Sequence, residues 1–215
     1  VRPLYQTNIV KELKQRFNKP VTALNDAKAA GLCELHIGAA KGKKSSASFI
    51  IGTGIGGALT YDGEVLIGKD GFAGEFSSIP IAINEEKVIS LAWVASATGL
   101  KDLYQEISGE EVSEAKDVFD LYYAKNSHAQ KAMNKWLKYI ALGLVQISTI
   151  YNPEVICIGG GVSQDDNLIH WIRKAFHDRV FRMFGYQVFS PEIVLCKYKD
   201  KANLYGAAIH AMQKE

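Results

Sequence analysis

Directly after the apolar residues 48–51 the chain reads Gly52-Thr53-Gly54-Ile55-Gly56-Gly57, four glycines in six residues. No other stretch limits the fold as tightly. A two-residue hairpin turn needs only one or two glycines. The surplus lets backbone N–H groups converge without Cβ obstruction, an arrangement that binds anions. Gly52, Gly54 and Gly57 also satisfy the GxGxxG pattern, but that dinucleotide motif has to open a helix. Here Ala58-Leu59-Thr60-Tyr61 followed by Asp62-Gly63 reads as a strand and a hairpin turn. The segment is therefore expected to be a strand–turn–strand phosphate site with Thr53 adding a hydroxyl donor, and a plain hairpin is the competing reading.

The remaining pattern is mixed. Ile9, Leu13 and Phe17 recur at helical spacing over residues 8–17, and Pro20 follows. Residues 20–24 read as a strand. Asn25-Asp26 then caps an Ala-rich helix over residues 27–40. Strands are expected at 48–51, 58–61, 64–67, 155–158 and 193–195. Helices are expected at 87–107, with a break near Thr98-Gly99, and at 113–123, 129–151, 168–181 and 203–212. This order of hairpin strands, a helical block, and then strand, helix, strand, helix predicts an α/β layer architecture.

With 215 residues, 47% of them hydrophobic, the chain can bury a core without disulfide or metal staples. Its formal charge of +2 gives no electrostatic case for nucleic acid. Cys33, Cys157 and Cys196 form no CxxC pair and read as buried free thiols in a reducing compartment. No stretch approaches the ~20 apolar residues of a membrane span. The start, Val1-Arg2-Pro3-Leu4, has no apolar signal region, so a cytoplasmic location is expected. Opening on Val1 also points to a processed form or a piece of something longer.

Three further sites carry chemistry. Asn25-Asp26 lies at a strand-to-helix junction, where it can cap the helix or present a carboxylate to an α/β site. Gly74-Glu75 closes a loop that also holds Gly68 and Gly71, and its acid is either a surface charge or a substrate ligand. Gly159-Gly160-Gly161-Val162-Ser163 follows a buried strand, and three glycines there point to close approach by a ligand. By contrast, residues 38–44 lack the spacing and hydroxyl of a P-loop and read as a solvated loop. The five histidines show no metal-ligand spacing, and no GxSxG occurs.

Together these segments resemble the ROK family (repressors, open reading frames and sugar kinases). The resemblance rests on Leu24-Asn25-Asp26-Ala27, on the glycine run 51–57, and on Gly71-Phe72-Ala73-Gly74-Glu75. It also rests on Tyr151-Asn152-Pro153-Glu154-Val155 leading into Gly159-Gly160-Gly161, and on Lys201-Ala202-Asn203-Leu204-Tyr205-Gly206. It implies an actin/hexokinase-like (ribonuclease H-like) ATPase fold. Residues 1–24 would end the small lobe, residues 25–202 would form the large lobe, and residues 203–215 would be a closing helix. It implies phosphorylation of a hexose, usually at the 6-OH, by ATP with Mg²⁺ bound mainly through the phosphates. By motif position Asp26 would be the general base, and Asn25 and Glu75 sugar ligands. Gly52, Thr53, Gly54 and Gly56 would lie at the phosphates, and Gly160 and Gly161 near the nucleoside. The family also implies a homodimer.

Four departures qualify the match. The family's opening Asp-x-Gly-Gly-Thr loop is absent, so the chain is expected to begin late in the first lobe. Ser77-Ser78 replace a Gly-His pair and the zinc cysteines are gone, so no structural zinc is expected. Ala92 stands where the family has a sugar-binding Glu, and the space opened by losing that Glu and the His is expected to admit a substituted sugar such as a β-glucoside. Lys28, where the family often has Asn, is a lesser departure. The leading expectation is an ATP-dependent hexose or glycoside kinase. The alternatives are a sugar-sensing transcriptional regulator of the same family, or a catalytically dead remnant.

Overall fold

The computed structural model describes residues 7–84 and 87–213. The glycine turn joins β1 (Ser45–Ile51) to β2 (Ile55–Tyr61), paired antiparallel with Ile51 opposite Ile55. Asp62 and Gly63, both at positive φ, turn the chain into the two-residue β3 (Glu64–Val65). That strand is shorter than residues 64–67 because only Thr60–Val65 and Tyr61–Glu64 pair. On its other edge β1 is parallel to β6 (Val155–Gly159), which is parallel to β7 (Glu192–Leu195). The sheet order is β3-β2-β1-β6-β7.

The helices are α1 (Ile9–Phe17), α2 (Asp26–His36), α3 (Leu91–Ala95), α4 (Ala97–Ser108), α5 (Ala115–Tyr123), α6 (Ser127–Tyr151), α7 (Leu168–Phe184) and α8 (Ala202–Met212). Alternation along the central strands assigns the two sheet faces. Ala47, Phe49, Ile51, Ile156 and Ile158 join the main core with residues of α3 to α7. Ile50, Val155 and Cys157 face the other way, into small clusters with Ala30, Cys33, Cys196 and Ala202. All three cysteines are buried and free. Burial pushes the Cys33 thiol up to about 11 and the Cys157 thiol to about 12, and raises Cys196 well above its usual value.

Two expectations fail. Residues 20–24 form no strand and pair with none among the described residues. Residues 87–90 are β5 (Lys87–Ser90), antiparallel to β4 (Pro80–Asn84), and not the start of a helix. Val88 and Ile89 favour the pleated conformation. The helix break falls at Ser96, which caps α4 by accepting from Gly99 N–H at 3.0 Å. α1 forms where its spacing predicted, but none of its residues is buried among the described residues. The expected closing helix ends at Met212, and its residues 214–215 lie outside the described residues.

Helix α2 is buried on nearly every side, from Ala27 through Leu35. Its small residues allow this. A Cβ on Gly31 would lie 2.5 Å from the Ala58 methyl of β2, and one on Gly206 of α8 would lie 1.7 Å from the Ala29 carbonyl oxygen. The far end of α2 is fixed by Glu34, whose fully buried carboxylate accepts backbone N–H bonds from Ala39 (2.7 Å), Lys197 (3.0 Å) and Tyr198 (3.0 Å).

Candidate active site

A cleft of about 420 Å³ opens where the start of α2, the β1–β2 turn and the end of β6 meet. Asn25 is the N-cap of α2, its Oδ1 accepting from the N–H groups of Ala27 (3.0 Å) and Lys28 (3.1 Å). The cap satisfies helix-start donors, and the residue still lines the cleft. One residue thus caps the helix and faces the cleft at once. Asp26, the first residue of α2, is exposed to the cleft. Its Oδ1 accepts from Ala27 N–H at 2.8 Å, and its Oδ2 has no hydrogen bond from the described residues.

Glu75 reaches the same cleft from the following loop. Its position is set by its neighbours. Phe76 is buried and stacks on Phe49 with ring centroids 6.0 Å apart. The absence of a side chain at Gly57 lets Phe76 and the Gly74 carbonyl lie against β2. Glu75 Oε1 lies 2.6 Å from Nζ of Lys28, whose side chain is 3% exposed.

The turn 52–54 is anchored from behind. Gly52 donates to the Gly54 carbonyl, and the Gly52 carbonyl accepts from Ala97 N–H at 2.8 Å, at the start of α4. Next to Ala97, the Ser96 carbonyl accepts from the indole N–H of Trp136 at 2.9 Å. On the open side, a Cβ at Gly54 or Gly161 would meet nothing within 4 Å. Those glycines therefore leave room for a group against the backbone, as a phosphate would need. Gly160 is glycine for another reason: φ is +91°, and a Cβ would lie 2.1 Å from the Ile51 carbonyl oxygen. It lets β6 end flush against β1.

A second cavity, of about 540 Å³, adjoins the first and shares Gly52 and Thr53 with it. Phe119 and Val162 give it apolar walls, and Glu114 and Asp165 give it carboxylates. Tyr123, also lining it, donates its hydroxyl to Asp165 Oδ2 at 2.7 Å.

Of the residues singled out by sequence, Asn25, Asp26, Gly52, Thr53, Gly54, Gly56, Glu75 and Gly160 line the first cavity, and Gly161 lines the second. Ser77, Ser78 and Ala92, at the positions of the family departures, line neither, and Ala92 packs against the main core. Sequence reading missed Lys199 and Asn203, which line the first cavity. Asn203 lay within the Lys201–Gly206 motif, whereas Lys199, a lysine at φ 44°, left no local signal. Among the described residues no three His, Cys, Asp or Glu side chains converge as a metal site, and no helix is long and apolar enough to cross a membrane.

A mixed sheet with two antiparallel and two parallel pairings, carrying a glycine-rich turn beside a carboxylate at a helix start, is the actin/hexokinase-like ATPase architecture. The family model for the ROK family matches residues 3–214, and the chain belongs to that family. An N-acetyl-D-glucosamine kinase of Mannheimia succiniciproducens is 29% identical over 216 residues, spanning 93% of this chain and 69% of that protein. A ROK family protein of Streptococcus pneumoniae, solved in complex with sucrose, superposes with a TM-score of 0.86 at 32% identity, over 94% of this chain and 69% of that one. A ROK hexokinase of Thermus thermophilus gives 0.84 at 27% identity, over 96% and 70%.

Proposed function

We propose that the protein is an ATP-dependent sugar kinase that transfers the γ-phosphoryl group of ATP to a hydroxyl of a hexose, the 6-OH of glucose or of a related hexose or β-glucoside. The observation that carries this reading is the single cleft in which Asn25, Asp26 and Glu75 stand with the glycine turn 52–56 and Gly160. A sugar hydroxyl is a weak nucleophile, and a carboxylate within hydrogen-bond reach can take its proton as the new bond forms. Asp26 suits that role because Ala27 N–H holds one of its oxygens and leaves the other unbonded.

As the hydroxyl oxygen bonds to the γ-phosphorus, the bond to the β–γ bridging oxygen breaks, ADP departs, and the proton passes to Asp26 Oδ2. Asn25 and Glu75 orient the sugar. The N–H groups of Thr53 and Gly54, with the open space at Gly54, receive phosphate oxygens, and the adjoining cavity with Phe119, Val162 and Gly161 seats the nucleoside. Mg²⁺, carried mainly on the phosphates, would neutralise charge there. Asp26 and Glu75 are the carboxylates lining the phosphate-side cavity, which fits a metal held largely by its substrate.

The test is coupled ADP release by the full-length protein with glucose, mannose, N-acetylmannosamine and cellobiose, beside Asp26→Asn. Sugar-dependent turnover is expected, falling about 10²- to 10⁴-fold in the variant. Sugar binding without turnover would favour the regulator reading and make DNA binding the next measurement.

A further inference from the structure

Lys28 is the one charged residue in the stretch Ala27-Lys28-Ala29-Ala30-Gly31, and it is 2% exposed. The alanines and glycine around it are small because β2 and α8 press on α2. Packing alone gives no reason for a long cationic side chain there, and an unpartnered buried ammonium is strongly disfavoured. Its Nζ is held 2.6 Å from Glu75 Oε1, across 47 residues of sequence. The other ion pairs of the described residues involve side chains at least 37% exposed. The Glu75 side chain is 23% exposed, and the residue lines the cleft. One carboxylate oxygen is thus committed to a buried cation, and the rest of the group is available to the cleft.

We propose that Lys28 is the positioning residue for sugar recognition: by holding Glu75 Oε1 it fixes the carboxylate as an acceptor for hydroxyl groups of an uncharged sugar. A sugar acid would meet the like charges of Asp26 and Glu75 across the same cleft. Lys28 touches no substrate in this arrangement and acts through Glu75. The inference rests on the sugar-kinase reading and adds what selects the substrate.

The experiment combines calorimetric binding and steady-state kinetics on the full-length protein, using its best sugar and the monodeoxy analogues of that sugar. Lys28→Met is expected to raise Kd and KM about 10- to 100-fold while kcat changes less than about 3-fold. Lys28→Arg should restore most of the affinity. The double variant Lys28→Met/Glu75→Gln should bind no more weakly than Glu75→Gln alone, since the two act as one unit. The deoxy analogue most penalised by the parent should be least penalised by Lys28→Met. Lys28→Asn, a smaller polar replacement, serves the same comparison if the methionine variant does not fold. A folded Lys28 variant that binds within about 2-fold of the parent, or that weakens every analogue equally, overturns the inference and leaves the kinase reading standing. A parent protein that binds none of the sugars overturns both.

Discussion

Helices α2 and α6 both lie in the interior, and they are built on opposite plans. α6 is 25 residues long and buries one side through bulk: Met133, Trp136, Ile140 and Leu144 are fully buried, whereas Asn134 and Lys138 are exposed. α2 has 11 residues and buries nearly all of its circumference through smallness. Where α6 fills space, α2 removes it, so that backbone and sheet approach within the reach of a missing Cβ. The lesson is one of precision. Asp26, Lys28 and Glu34 ride on the helix that is closely packed through small residues, and α6 supplies the mass behind the β1–β2 turn.

The two plans should fail differently. Trp136→Ala is expected to cost about 3–5 kcal/mol in urea unfolding, since it empties a cavity and removes the bond to Ser96. Part of that loss should return when a small apolar aromatic is added, because a dry apolar void accepts one. Gly206→Ala should cost about 3 kcal/mol by the opposite route, overpacking against the Ala29 carbonyl, and no added ligand should restore it. Rescue of the second variant, or none of the first, would break the comparison. Asn25→Ala removes only the cap of α2 and should cost about 1 kcal/mol of stability. Its effect on sugar turnover should be the larger one, which separates the residue's two roles. The smallest effect is expected at the thiols. Cys33, Cys157 and Cys196 are buried with raised pKa values. At pH 7 iodoacetamide should label none of them until the chain is unfolded, as read by mass spectrometry.

The same contrast explains what could be read in advance. α6 was legible because its bulky residues repeat at helical spacing between Asn126 and the Asn152-Pro153 stop. α2 was legible as a helix from its cap and its alanines, but not as one enclosed on all sides, because small residues carry no strong periodic signal. The site was legible where its chemistry is local in sequence, in Asn25-Asp26, the glycine run and Gly159-Gly160-Gly161. It was not legible where the chemistry depends on a distant partner. Lys28 read as a minor departure until the fold placed it on Glu75. Residues 20–24 and 87–90 were misjudged for a related reason, since pairing decides strands, and a strand's partner is not written in the strand itself.

The Glu34 carboxylate, with its three amide donors, has a consequence for how this chain can change length. Lys28 and Glu34 are six positions apart on one helix, and each is committed at its own end, one to Glu75 and the other to the amides of Ala39, Lys197 and Tyr198. An inserted or deleted residue between them would rotate one grip relative to the other by about 100° and shift it by about 1.5 Å. Segment 28–34 therefore behaves as a ruler of fixed pitch. Insertions and deletions cannot accumulate within it.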